Sequence, residues 1–251
     1  MRTLYKTLLS LVFPLSLIIS CDNESPEPEP EPEPEPCEIY ATGIYNETFP
    51  GEVPEKYWPC MDTKDLVDAG SYNFNSAYQL MAGCCGLQSG YDLCKNNYSW
   101  YEELESRNDA FQYLLAKYIT IDTVNYDLNL YYWQRGYKFY SYNLEVFLAQ
   151  KTYLEDATSA QKIILINELL KKQEIRDAGF CNDIIEGPTF VMSRILYYDN
   201  YMPLLDIMEQ NNYIKNLVVL GDLRVDYDEG MEAQMIVFTL IDNYLEELKT
   251  K

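Results

Sequence analysis

The chain contains no histidine. Ser-His-Asp and Cys-His nucleophilic catalysis are therefore excluded within it, as is every histidine-ligated metal site. Positive charge is also scarce, with 19 Lys and Arg against 40 Asp and Glu in 251 residues. A net charge of −21 repels phosphate backbones and anionic headgroups alike, so nucleic acid is not expected as a partner. No apolar run reaches the ~20 residues that a membrane-spanning helix needs. The seven cysteines form neither a C-x-x-C pair nor any other zinc pattern, and neither a metal nor a cofactor is expected. No clean alternation of apolar and polar residues runs beyond four positions. Only residues 214–220 read alternatively as a short buried strand.

What is present begins at the N-terminus. Arg2 and Lys6 precede an apolar run over residues 8–19, which ends in Ile18-Ile19-Ser20-Cys21. The run has the length of a signal-peptide core. A small residue directly before the cysteine resembles the lipobox of bacterial lipoproteins rather than an A-x-A cleavage site. The resemblance implies a signal peptide over residues 1–20 and acylation of Cys21, which would tie the chain to a lipid bilayer through several acyl chains. Residues 21–36 then form an acidic tether, Asp22-Asn23-Glu24-Ser25-Pro26 followed by five Glu-Pro pairs. Proline fixes φ and restricts the residue before it, so this stretch is expected to be an extended spacer reaching up to ~45 Å at ~3.1 Å per residue. Acids immediately after the cysteine resemble the signal that sends Bacteroidetes lipoproteins to the outer face of the outer membrane. The expected location is thus the cell surface, with the periplasmic face as the alternative.

Residues 37–251 are read as one all-α domain, an array of short packed helix pairs. They hold 33 acidic and 17 basic residues, because seven acids, Arg2 and Lys6 fall before residue 37. Apolar residues recur near period 3.6 in two long segments. In residues 159–172, Ile163, Ile164, Ile166, Leu169 and Leu170 form a stripe, and Thr158 with Gln161 makes a capping box. In residues 228–249, Met231, Met235, Phe238, Ile241, Leu245 and Leu248 recur at helical spacing, with acids at the start and Lys249 at the end as the macrodipole favours. Gly187-Pro188 opens another helix to about Tyr198. Shorter helices are expected over 63–69, 75–84, 99–105, 109–119, 142–151, 203–209 and 213–220.

Beyond Cys21 lie Cys37, Cys60, Cys84, Cys85, Cys94 and Cys181, an even set that suits disulfides in an exported protein. Cys37 with Cys60 would staple the N-terminal arm. Cys85 with Cys94 would pair only if Gly86 and Gly90 break the helix between them, since a straight helix holds them ~13 Å apart. Buried free thiols are the alternative for all six.

Two motifs carry a further resemblance. Thr63-Lys64-Asp65-Leu66-Val67 reads T-x-x-L-V, and residues 103–118 read E-L-x-x-R-x-D-A-x-x-x-L-L-x-x-Y through Glu103, Arg107, Asp109, Leu114 and Tyr118. Together they resemble a family of exported helical proteins of Bacteroidetes with no assigned activity. The family pattern ends its first motif in cysteine, where this chain has Gly70. Physically, Asp109 is placed to cap the helix after it, and Arg107 to pair with Glu103 one turn back and reach the carbonyl end of its own helix.

Candidate function rests on aromatic and carboxylate content. The chain has 24 tyrosines, and aromatic residues crowd the segment 131–142, where Tyr132, Trp133, Tyr137 and Tyr140 are the candidate binding residues for a protein or glycan partner. The competing reading is an aromatic core. The enzymatic alternative is a carboxylate-dependent glycoside hydrolase, with Glu102, Glu103, Glu105, Asp62, Asp65 and Asp68 as undistinguished candidates. A purely structural envelope component is the third reading, and no catalytic residue is assigned.

Overall fold

The computed structural model describes residues 36–37, 55–73, 86–121, 136–178, 186–222 and 227–250. By its contacts, Glu35–Lys251 form one unit. A 3-10 turn over Glu55–Cys60 leads into α1 (Thr63–Asn73), α2 (Leu87–Asn97), α3 (Trp100–Glu105), α4 (Ala110–Thr120), α5 (Gly136–Leu148) and α6 (Lys151–Glu155). There follow α7 (Ser159–Ala178), α8 (Glu186–Tyr198), α9 (Met202–Gln210), α10 (Asn212–Leu220) and α11 (Tyr227–Thr250). The described residues contain no strand, so the domain is all-α and residues 214–220 lie in a helix. The apolar run there is read correctly only with its cap: the Asn211 side chain accepts from the amides of Tyr213 and Ile214, which commits the chain to a helical turn.

Local chemistry sets most boundaries. Asp62 accepts from the Asp65 amide at 2.7 Å and opens α1. The Thr158–Gln161 capping box opens α7, with the Gln161 amide donating to Thr158 Oγ1 at 3.2 Å and the Thr158 amide to Gln161 Oε1 at 2.9 Å. At the end of α8 the amides of Asn200 and Tyr201 donate back to the carbonyls of Tyr197 and Leu196, with Asn200 at φ 55°. This is a Schellman ending with asparagine in the left-handed position that glycine usually takes. The sharper steric demand lies at Gly86, where φ is +85° and a Cβ would stand 2.4 Å from the Leu220 carbonyl oxygen. Only glycine lets the start of α2 approach the end of α10 so closely.

Two helices form the centre. In α5 the residues from 141 to 148 are all buried, and in α8 those from 187 to 196 are too. α8 packs on α5, α6, α7, α9, α10 and α11, while α4 and α2 cover α5 from other sides. A helix buried on every side over these residues needs no polar face. Tyr91, Trp100, Tyr101 and Phe147 interlock beside α5, with ring centroids 5.1–5.5 Å apart, mostly edge to face.

The long helices bear out most of the expected stripes and shift them. In α7 Leu165, Ile166 and Leu169 are buried and Ile163 and Leu170 pack against the core, while Ile164 is 48 % exposed. In α11 the buried face is Ala233, Gln234, Val237, Leu240, Ile241, Tyr244, Leu245 and Leu248 with Phe238 packed against it, while Met235 is 65 % exposed. Apolar side chains cover more than half the circumference of α11, so periodicity alone admits two faces, and packing against α8 selects one. The segment expected over 75–84 lies outside the described residues.

Candidate functional site

The cysteines divide clearly. Cys37 and Cys60 are joined by a disulfide across 23 residues. Cys94 is a buried free thiol, so it does not pair with Cys85. The reason is local: α2 begins after Gly86 and runs unbroken through Gly90, and Cys94 lies on its inward face beside Tyr101. Burial pushes that thiol above its ordinary value and makes it a poor nucleophile. Cys21, Cys84, Cys85 and Cys181 lie outside the described residues.

The aromatic binding candidates are placed only in part. Tyr132 and Trp133 lie outside the described residues. Tyr137 and Tyr140 fall in the first turns of α5, where the backbone alone is described. Their neighbour Tyr142 is buried.

The two motifs meet at one corner. Thr63 Oγ1 donates to Asp109 Oδ1 at 2.6 Å, joining the first residue of one motif to the aspartate of the other. Asp109 stands at the cap position of α4 yet makes no side-chain cap bond; its carboxylate turns to Thr63 instead. Arg107 pairs with Glu103, its Nε donating at 2.8 Å, as the i,i+4 spacing predicts. Its other arm does not reach the end of its own helix; it donates to the carbonyls of Trp58 and Pro59 at the end of the 3-10 turn. Trp100 Nε1 donates to the Leu66 carbonyl in the same corner. Each polar group here ties one element to another.

Two of the acidic candidates, Glu105 and Asp68, are similarly engaged, while Glu102 is exposed. Glu105 accepts from Tyr91 at 2.7 Å and from Lys95 at 2.5 Å. Asp68 accepts from Lys117 and Lys64. Burial by itself raises the Asp68 carboxyl, but the two lysines together outweigh it and hold the group below its ordinary value.

Two concavities stand apart from these ties. The first is a polar cleft of about 510 Å³ between the start of α7, the α8–α9 turn and the end of α11. Asp199 is at its floor, accepting from Lys162 at 2.5 Å and from the Tyr244 hydroxyl. Lys162 is only 8 % exposed, so that carboxylate is its compensating partner. Burial first, then the bond and charge of Asp199, push the Tyr244 phenol well above its ordinary value. The second carboxylate of the cleft, Glu247, lies near Tyr201, whose phenol is raised first by burial and then by the charge of Glu247. A glycosidase needs one carboxyl ready to donate a proton and another ready to attack or to activate water. Here each carboxylate faces a tyrosine, and Asp199 also holds a lysine, which is the arrangement of an interhelical clamp. No position on the chain marks it in advance, since Lys162, Asp199 and Tyr244 lie 37 and 45 residues apart.

The second concavity is an apolar groove of about 530 Å³ between α9 and α11. Ile207, Met231, Met235 and Ile236 line it, and Asp228 and Glu232 stand on it. The methionine repeat visible in the sequence is therefore a surface feature. Among the described residues no group of three or more acids and cysteines could hold a metal ion, and no helix is long and apolar enough to cross a membrane.

The described residues form an all-α domain with a clamped polar cleft and an open apolar groove. No family model, curated protein or solved structure matches the chain.

Proposed function

We propose that this chain is a membrane-anchored bacterial surface lipoprotein, acylated at Cys21, whose helical domain is a non-catalytic module for binding a partner. The observation that carries the binding reading is the groove on α11, where Met235 is 65 % exposed beside Met231, Ile207 and Ile236. Large apolar side chains gathered in a surface groove, rather than scattered singly, mark interaction sites. The Cys37–Cys60 disulfide supports export, since such bonds persist in oxidising compartments. The T-x-x-L-V and E-L-x-x-R-x-D-A motifs support kinship with the exported helical family of Bacteroidetes, and the outer face of the outer membrane is the location this reading takes.

Two measurements test it. Proteinase treatment of intact cells, with lysed cells as control, removes the domain if it is outside; protection until lysis overturns the surface assignment. A photo-cross-linking amino acid at Met235 in living cells yields a discrete adduct, absent when it is placed at Ile164. Adducts that are equal at the two positions, or absent at both, overturn the binding module.

A further inference from the structure

We infer that the groove between α9 and α11 takes a basic amphipathic helix of a partner protein. This rests on the binding-module reading and names the partner's chemistry. Three observations carry it.

Shape comes first. From Asp228 to Leu240 the lining residues of α11 span about 18 Å at 1.5 Å per residue, which is the length of roughly three helical turns. The apolar positions Met231, Met235 and Ile236, with Ile207 across the groove, suit a partner's i, i+3/i+4, i+7 side chains, and methionine adapts its shape to such ridges.

Charge comes second. Among the described residues the groove is lined by Asp228 and Glu232 and by no lysine or arginine. Asp228, in the first turn of α11, suits the helix dipole by itself. Glu232 lies beyond the first turn, where that effect has faded, so the dipole does not explain its place. A lysine or arginine flanking the partner's apolar face would pair with both.

Exclusion of the alternatives comes third. A second copy brings the same excess of 33 acids over 17 bases in residues 37–251. An anionic membrane brings the same sign. Both are repelled, whereas a cationic helix is steered in.

The test uses the mature protein and two labelled 14-residue helical peptides with the same leucine face, one carrying lysines and the other glutamates, followed by fluorescence anisotropy. The lysine peptide is expected to bind, and Met235→Glu to weaken it at least tenfold. Asp228→Lys with Glu232→Lys should weaken it similarly and admit the glutamate peptide, while Ile164→Glu on α7 should leave affinity unchanged. All these positions are at least partly exposed, and thermal melts check that each variant folds.

Equal binding of the lysine peptide to the wild type and Met235→Glu overturns the groove as its site. Equal binding of both peptides to the wild type overturns the basic partner. A concentration-dependent dimer dissolved by Met235→Glu makes the occupant a second copy and overturns it as well. If the cellular adduct at Met235 forms and neither peptide binds, this inference fails while the binding module stands; if the adduct itself is missing, the earlier reading fails.

Discussion

The two polar junctions of this domain are built on opposite principles. At the Arg107 corner, a guanidinium and a threonine reach backbone carbonyls and two separate carboxylates, Glu103 and Asp109, around a partly exposed turn. At the Asp199 clamp, one carboxylate holds an ammonium and a phenol that are both withdrawn from water. The first spreads its energy over several modest bonds, each with water as a fallback. The second concentrates it, because a buried lysine without its acid is costly. A corner of the first kind tolerates substitution; a clamp of the second kind does not.

The largest expected effect breaks the clamp. Asp199→Ala should destabilise by about 3 kcal/mol, since it strands Lys162 in the interior. Adding Lys162→Met should recover most of that loss in chemical denaturation. A loss below about 1 kcal/mol would mean that water already reaches Lys162 and that the contrast is false.

Next in size is alkaline sensitivity. The Tyr244 phenol titrates above its ordinary value of 10.0 in the folded state. Because the folded value is raised, the stabilisation is complete below about pH 10 and declines as pH rises toward the folded value. Each such phenol contributes a slope of about 1.4 kcal/mol per pH unit in that window. Tyr153, raised chiefly by burial and then by the charge of Glu105, acts in the same direction. Ultraviolet titration should show phenols that ionise only on unfolding, and Tyr244→Phe should flatten the slope of stability against pH.

At the corner, Arg107→Ala should cost about 1–2 kcal/mol, and Arg107→Lys should restore only part of it, because an ammonium cannot serve Glu103 and the Trp58 carbonyl as a fork does. Full recovery with lysine would reduce the corner to simple charge pairing. Thr63→Val should cost least, about 1 kcal/mol, by removing the bond to Asp109. Its coupling with Arg107→Ala in a double-mutant cycle would show whether the two motifs act as one unit.

What could be read in advance followed the length scale of the interaction. The Glu103–Arg107 pair, the Thr158–Gln161 box and the proline-led start of α8 are contacts between near neighbours in the chain, where spacing alone carries the geometry. The Lys162–Asp199–Tyr244 clamp depends on α7, α11 and the α8–α9 turn meeting, and nothing in the residues flanking Asp199 announces it. The burial of Lys172, which is 1 % exposed and reaches Glu168 and the Ile121 carbonyl, is hidden for the same reason. The α11 stripe is legible in part. Ile241, Leu245 and Leu248 face the core and Phe238 packs against it, whereas Met235 lies outside, because Ala233, Gln234 and Tyr244 also face inward and turn the buried face away from it.

The Cys37–Cys60 bond has a mechanical consequence. A pull applied to the chain ahead of Cys37 passes through sulfur directly to Cys60, and the covalent path bypasses the 22 residues between them. Tension therefore enters the folded domain at the end of the 3-10 turn, whose last carbonyls are gripped by Arg107. A protease cut inside the bypassed loop would leave both pieces joined until a reductant is added. In shaving experiments such a nicked molecule would run as intact on a non-reducing gel, and reduction would reveal the cut.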